Sequence, residues 1–348
     1  MNGIILFTVL ILFLWLGRSI LIPLLVATFL WYLINATATY VRKVFPYNSD
    51  ASRATRPIAS RAFDWTSNIL AVLAMCGLIY LFSTQIQPMF RELMIAMPTL
   101  QHKLFVFSNY LSESLGIRFD ANMLPNIANI ATNIGASVAS IVTSTGMILV
   151  YMLFMFVEQS TFNKKIIALI PNKTKYKKAR YILDSIDENM KKYLFMKTLL
   201  SGITGVLSYF WLQMIGVEFA GIWAFIVFIT SYIPTIGAII ACTLPILYSL
   251  ITAPSLQQPI LTALGLIGLQ ILFGNILEPK LTGKTLNLST LAILINLVFW
   301  GMIWGVAGMF FSVPLLVAIF ITTAQFDSTR WIAVLLSADG KIPDKRDE

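Results

Sequence analysis

A group of polar side chains lies inside or at the ends of long apolar stretches in the C-terminal half of the chain. Polar groups in lipid are costly, and they normally face the protein interior or a cavity. Amides and hydroxyls both donate and accept hydrogen bonds, so this group predicts a pathway for a small polar solute. Hydrogen bonding between helices is the alternative for each member. The members are Ser231, Tyr232, Thr235, Gln270, Asn275, Glu278 and Asn296.

Glu278 is the acidic member of this group, and it precedes Pro279, Lys280 and Lys284. Its carboxylate could bind a proton or a cation, pair with one of the two lysines, or cap the next element. A cation/proton antiporter needs a carboxylate at membrane depth, whereas Glu278 and Glu218 both fall near predicted span ends. The neutral groups around the breaks therefore favour a neutral or polyol-like solute.

Other chemistries find little support in the sequence. Gly283-Lys284-Thr285 matches the end of a phosphate-binding loop, but Glu278 stands where that pattern needs glycine, so ATP hydrolysis is not expected. The single histidine, His102, is predicted to cap a helix or face solvent. We find no His/Cys/carboxylate cluster and no Gly-x-Ser-x-Gly elbow, and we therefore predict no enzyme activity, no metal site and no cofactor.

Two apolar runs that are broken by glycine and proline carry most of these polar residues. They are residues 219–252 and 288–323, with a connecting helix at about 260–277 and a polar turn at 278–284. Helix breaks in lipid are tolerated where protein or water covers the freed backbone groups, and paired broken segments point to a transporter's substrate site. The sequence leaves open whether either run crosses the membrane or turns back within it. The predicted hinge positions are Pro234, Gly237, Pro279, Gly283, Gly301, Gly305, Gly308 and Pro314.

The composition is that of a membrane protein. The chain has 348 residues, of which 57% are hydrophobic and 12% are charged, and its mean hydropathy is +0.79. We predict an all-α, polytopic helical membrane protein with about eight spans. The first apolar stretch is expected to be a membrane segment and not a cleaved leader. The predicted spans are residues 4–16, 20–39, 65–85, 140–157, 198–215, 219–252, 260–277 and 288–323.

The charge distribution predicts the orientation of these spans. Lysine and arginine are in excess in loops 41–64 and 158–197, whereas segment 87–140 is balanced. Because cytoplasmic loops carry the basic excess, we predict cytoplasmic N- and C-termini and an extracytoplasmic segment 87–140. The net charge of +9 is explained by this bias and by anionic lipid, so no nucleic-acid partner is expected.

Segment 87–140 is predicted to be a small helical insert. Leu100, Leu104, Phe107 and Leu111 follow the spacing of one helix face, and a second amphipathic stretch follows Pro125. We expect the insert to pack over the mouth of the spans, to gate them or to contact a partner. The predicted segments are spans one to three (1–86), the insert (87–140), span four with the basic loop (141–197), the transport core (198–326) and the tail (327–348).

The sequence resembles the autoinducer-2 exporter family of bacterial permeases. The resemblance rests on residues 274–289, on Phe299-Trp300-Gly301, on Gly308–Leu315 and on the tail residues 332–337. It implies an oligomeric transporter of the bacterial inner membrane that exports autoinducer-2 (AI-2), a signal of quorum sensing, although other members of the family are linked to cation/proton antiport.

Three functional hypotheses follow. The first is export of a small polar solute, above all AI-2, by rearrangement of the two broken runs. The second is sodium or lithium/proton antiport with Glu278 as the coupling carboxylate. The third is a membrane scaffold that does not transport. A homo-oligomer is also predicted, because Gly301-x-x-x-Gly305 allows close helix approach.

Overall fold

The structure, a computed structural model, describes residues 2–44, individual positions between 84 and 113, and residues 144–159, 161–170, 172–282 and 287–342. These parts are helical and contain no strand, which confirms the all-α prediction. The loop at 45–64, nearly all of the predicted third span at 65–85, the insert after residue 113, Gly283 and the last residues of the tail lie outside the described residues.

The described helices cover the predicted spans other than the third, but the helix that contains span 198–215 already begins at Lys173, inside the predicted basic loop 158–197. In chain order they are α1 (Asn2–Leu16), α2 (Arg18–Val44), α3 (Thr145–Gln159), α4 (Phe162–Leu169), α5 (Lys173–Met214), α6 (Ala220–Thr230), α7 (Ile236–Thr252), α8 (Gln257–Gln270), a π-helix (Ile271–Leu277), α9 (Glu278–Thr282), α10 (Thr290–Ala324) and α11 (Arg330–Leu336).

Among the described residues, three helical segments are long and apolar enough to cross a bilayer. They are Arg18–Thr37, Gln257–Leu281 and Thr290–Ala324, the last counted across a kink. Shorter apolar helices occur at Thr145–Gln159, Ala220–Thr230 and Ile236–Thr252. The chain is therefore a polytopic helical membrane protein, as its composition predicts.

Backbone contacts divide the chain into two units. Unit 1 contains Met1–Ile79, Ser144–Met196 and Thr282–Glu348, and unit 2 contains Tyr80–Thr143 and Lys197–Leu281. Each unit is discontinuous in sequence, whereas the predicted segments are sequential. The predicted segment boundaries stay a prediction.

In unit 1, α10 is a helical hairpin, here called the second hairpin. Gly305 has φ 62° and ψ −139°, which is not helical. The Asn296 side-chain amide donates to the Ser312 carbonyl oxygen at 2.6 Å, although 16 residues of straight helix would separate them by about 24 Å. A Cβ at Gly308 would overlap the Trp300 carbonyl oxygen. The chain therefore reverses at Gly305, and its two arms run antiparallel.

The second hairpin packs against the N-terminal helices of unit 1. The Trp304 indole donates to the Leu14 carbonyl oxygen of α1 at 3.0 Å, and Phe29 of α2 makes edge-to-face contacts with Phe310 and Phe311. Gly301 lies opposite Met309 across the hairpin. The Gly301-x-x-x-Gly305 motif is thus used inside the hairpin and ends at its reversal, so it no longer motivates an oligomer.

In unit 2, the second part of α5 and the α8 segment are antiparallel neighbours. At one end, the Gln258 side-chain amide donates to the Ile215 and Gly216 carbonyl oxygens at 3.1 and 2.8 Å. At the other end, Lys197 forms an ion pair with Glu278. The chain between Gly216 and Gln257 therefore leaves and returns at the same end of this helix pair.

That intervening chain is the first hairpin, formed by α6, the turn 231–235 and α7. The Trp223 and Tyr248 rings lie 5.2 Å apart, whereas 25 residues of straight helix would separate them by about 37 Å. A Cβ at Gly237 would overlap the Thr230 carbonyl oxygen. The arms bury Ile222, Ile226 and Ala241 in one cluster with Leu212 and Leu266. Both broken runs are thus helical hairpins in the part of the chain that the structure describes, and their re-entry into the membrane stays a prediction.

The polar turn expected at 278–284 is helical through Thr282, because α9 begins at Glu278. Pro279 lies inside the continuous helical segment Gln257–Leu281, directly after the π-helix and Glu278, where its ring leaves one backbone donor missing. Pro314 likewise lies within the second arm of α10, where a buried Leu316 and Val317 follow it. These two prolines therefore do not break their helices.

Candidate substrate site

The tip of the first hairpin reaches the N-terminal end of the unit-2 part of α5. The Tyr232 hydroxyl donates to the Thr198 hydroxyl at 2.7 Å. Pro234 supplies no donor to the turn, and Thr235 has φ 60°, a left-handed conformation that a β-branched residue rarely adopts. Such strain persists where the surrounding structure enforces it, and it is common at ligand sites.

The residue next to Thr198, Lys197, forms an ion pair that the sequence does not predict. Its ammonium lies 2.5 Å from a Glu278 carboxylate oxygen, and the side chains of Lys197 and Glu278 are 6% and 27% exposed. A buried charge is stable only when it is paired. The pair therefore brings together α5, the end of the π-helix and, through Thr198, the hairpin tip, and its two charges oppose each other.

Glu278 follows the π-helix, which contains Asn275 and begins after Gln270. π-helices are rare and occur frequently at functional sites. The Gln270 side-chain nitrogen is buried and has no hydrogen-bond partner among the described residues. Gly274 leaves room beside it, because a Cβ there would lie 3.6 Å from the Gln270 side-chain oxygen. Buried amides are normally hydrogen-bonded, so this one is available to a ligand.

Two of the other predicted residues have hydrogen bonds of their own, and two are exposed. Ser231 donates to the Val227 carbonyl oxygen at 2.6 Å, Thr235 is exposed at the tip, and Asn275 is exposed on the π-helix. Asn296 lies in unit 1, where its nitrogen donates to Ser312 and its oxygen accepts from the Trp300 indole at 3.1 Å. These two bonds give Asn296 a packing role within the second hairpin.

Sequence reasoning places Lys197 among the basic loop residues and misses its burial. The signal in the sequence is its position directly before the apolar run 198–215, with Glu278 as the carboxylate that ends the other helix of the pair. Within the described ranges, no group of three or more His, Cys, Asp or Glu residues is placed to hold a metal ion.

The sequence of residues 4–327 matches the model of a protein family that is described as AI-2E family transporter. The chain belongs to the AI-2E transporter family. It is 32% identical to the AI-2 transport protein TqsA of Escherichia coli over 238 residues, which is 65% of this chain and 67% of TqsA.

Two further relatives carry more general names. A putative transport protein of Haemophilus influenzae is 32% identical over 227 residues, 64% of each chain. A putative transport protein of Borreliella burgdorferi is 37% identical over 151 residues, 43% of this chain and 41% of the relative. The chain thus spans two thirds or less of most of these relatives. Membership of the family makes this chain a membrane transporter of the bacterial type.

Proposed function

We propose that the chain exports a small, neutral, hydroxyl-bearing solute across the bacterial inner membrane, and that AI-2 is this solute. The name of the E. coli relative, AI-2 transport protein TqsA, supports the choice of AI-2. The chemistry of the candidate site supports the wider class, because amides and hydroxyls complement the hydroxyls of such a solute.

The observation that carries the proposal is the convergence of the hairpin tip on the Lys197–Glu278 pair. Tyr232 and Thr198 bring two hydroxyls to a place where the nearest opposite charges neutralise each other. A site without net charge does not favour an ionic solute over a neutral one. The unpartnered amide of Gln270 adds a donor on the same helix as Glu278.

The same ion pair argues against cation/proton antiport through Glu278. A sodium or lithium ion would have to displace the Lys197 ammonium from the carboxylate, and this would leave a buried lysine without its partner. Breaking a buried pair in this way costs about 3–5 kcal/mol. We therefore rank antiport below export of a neutral solute.

We propose that the first hairpin is the moving part of the pathway. At its tip, the Tyr232 hydroxyl donates to the Thr198 hydroxyl of α5, and such a contact is worth about 1 kcal/mol. Withdrawal of the tip would open the site. Alternation between the tip in contact with α5 and the tip withdrawn would then move the solute. The inner-membrane location and the cytoplasmic termini belong to this proposal as well, together with the homo-oligomeric assembly that the family resemblance implies.

The test is flux of labelled AI-2 in proteoliposomes that contain only this protein, with and without an imposed proton gradient. We expect AI-2 to cross faster than in protein-free liposomes, and Glu278→Gln to leave any sodium or lithium/proton exchange unchanged. AI-2 flux at the protein-free level would overturn the proposed substrate. Sodium- or lithium-driven proton movement that Glu278→Gln abolishes would restore the antiport hypothesis.

A further inference from the structure

A polar cavity lies at the end of unit 2 that is remote from the hairpin tip. Its volume is about 620 Å³, within the range of about 300–1,000 Å³ that is typical of small-molecule sites. The second part of α5 separates it from Lys197 by about 26 Å, since the cavity begins at Met214 and a helix rises 1.5 Å per residue. It is therefore distinct from the site at the hairpin tip.

Three chain segments form this cavity. They are the turn after α5, the turn between α7 and α8, and the described part of segment 87–140. The charge bias predicts that the turn after α5 and segment 87–140 are both extracytoplasmic, and their meeting at one cavity agrees with that prediction. The polar side chains that line it are Lys103, Glu218, Thr252, Ser255, Gln257 and Gln258.

Two of these groups are held in place by their own hydrogen bonds. Gln258 donates its amide hydrogens to the carbonyl oxygens of Ile215 and Gly216, so its side chain is fixed across the end of α5. The Tyr248 hydroxyl donates to one Glu218 carboxylate oxygen at 2.7 Å, which orients the carboxylate. Groups that are positioned before a ligand arrives lose less entropy on binding.

The charges of the lining balance. Lys103 and Glu218 carry opposite charges, and the described residues show no ion pair between them. Lys103, Ser255 and Gln257 add donors, while Glu218, Ser255 and the two glutamine side-chain oxygens add acceptors, so the lining offers both kinds of group. This composition complements a molecule with many hydroxyls better than an ion of either sign.

We propose that this cavity binds a small, uncharged molecule with several hydroxyl groups, of the size and polarity of a pentose or a hydroxylated furanone. The ligand class rests on the lining. The further step, that the cavity is the outer station of the exported solute, rests on the proposed function.

The test is isothermal titration of the purified, full-length protein in lipid nanodiscs with ribitol, D-ribose, AI-2 and glycine. All proteins carry Gln270→Ala and Asn275→Ala, so that these two candidate amides of the other site do not contribute heat. The test variant adds Lys103→Gln and Gln257→Ala. The control variant adds Gln213→Ala, because Gln213 is an exposed glutamine near the same end of α5 that does not line the cavity.

We expect ribitol or ribose to bind, and the test variant to weaken this binding about tenfold or more, since it removes hydrogen bonds that include a charged group. The control variant should bind as its parent does. If ribitol or ribose binds and AI-2 does not, the result supports the proposed ligand class of the cavity. The same result argues against AI-2 as the exported solute. Three results would overturn the inference: no hydroxylated probe binds, the test variant binds as its parent does, or glycine binds more tightly than ribitol.

Discussion

Lys197 and Glu278 form the contact that gives the candidate site its chemistry. They are 81 positions apart in the sequence, and each has nearer partners of opposite charge in the sequence. The sequence therefore places Lys197 in the basic loop, and it leaves three roles open for the Glu278 carboxylate. The structure pairs them because α8 returns alongside α5, which no local pattern reveals.

Replacing Lys197 by methionine should destabilise the protein more than replacing both partners does. Lys197→Met leaves the Glu278 carboxylate without its cation, at a cost of about 3–5 kcal/mol, whereas Lys197→Met with Glu278→Leu removes both charges. We expect a clear fall in melting temperature for the single variant and partial or full recovery for the double variant. Differential scanning fluorimetry in mild detergent measures this.

The matched control is Lys191→Met. Lys191 pairs with Asp187 at 2.6 Å, and the two side chains are 27% and 39% exposed. An exposed pair contributes about 0–1 kcal/mol, so the control should melt close to the wild type. Equal shifts for Lys191→Met and Lys197→Met would contradict a special role for the buried pair.

The chain reverses in both hairpins through the same kind of close contact. In each, a glycine after the turn lies against a carbonyl oxygen near the end of the first arm: Gly237 against Thr230, and Gly308 against Trp300. The sequence locates these breaks, because proline and glycine weaken a helix where they occur. It does not give the angle of the break, since that depends on the packing of one arm on the other. A full reversal of the chain and a kink within one helix therefore give the same sequence pattern.

Gly237→Ala and Gly308→Ala should each destabilise the fold or change the hairpin. The new methyl group would overlap a backbone oxygen that has no free space to move into, so we expect a lower melting temperature or a loss of folded protein. Gly202→Ala is the control, because nothing lies within 4 Å of a Cβ there, and alanine favours a helix over glycine by about 1 kcal/mol. A neutral Gly237→Ala would mean that the arms are not in close contact.

A clasp of hydrogen bonds joins the segment before the second hairpin to the segment after α11. The Asn287 side-chain amide donates to the Asp339 carboxylate at 2.6 Å and to the Lys341 carbonyl oxygen at 2.8 Å. The backbone N–H groups of Ala338 and Ser289 donate to the backbone carbonyl oxygens of Asn287 and Leu336, respectively. The Asn287 amide and the Lys341 backbone N–H hold the pKa of Asp339 below its ordinary value.

The clasp should loosen in acid. Because the pKa of Asp339 is lower in the folded protein, its contribution is present above the ordinary value of 3.8 and is lost as the pH falls through the folded-state value. A dye on Lys341→Cys, in a chain whose native cysteines are replaced by alanine, should show high anisotropy at neutral pH and lower anisotropy in acid. Asp339→Asn should remove this pH dependence. If the anisotropy of the Asp339→Asn variant falls in acid in the same way, the transition belongs to another titrating group.

At the scale of the whole molecule, the hairpins determine the path of the chain through the membrane. The sequence predicts helices, their order and most of their bounds, because apolar length is a strong signal. A single crossing and a re-entrant hairpin have the same apolar length, so the number of crossings does not follow from it. If both runs are re-entrant, two crossings are lost together, and the predicted cytoplasmic location of both termini is unchanged.

Cysteine accessibility tests this path directly. In a cysteine-free background, Gln213→Cys and Ser255→Cys flank the first hairpin, and Thr290→Cys and Asp327→Cys flank the second. All four residues are exposed. We expect both members of each pair to react with a membrane-impermeant maleimide from the same side of the membrane. Labelling of one pair from opposite sides would show that its run crosses the bilayer.

The most direct test of the central claim, that a neutral solute passes the hairpin tip, is the initial rate of AI-2 flux in proteoliposomes for Gln270→Ala with Asn275→Ala. Gln213→Ala serves as the matched control, and all proteins must elute and melt like the wild type. We predict that the double variant loses most of the wild-type flux, because the site loses two amides that would bind the hydroxyls of the solute, while the control retains it. Wild-type flux by a folded double variant would contradict the account.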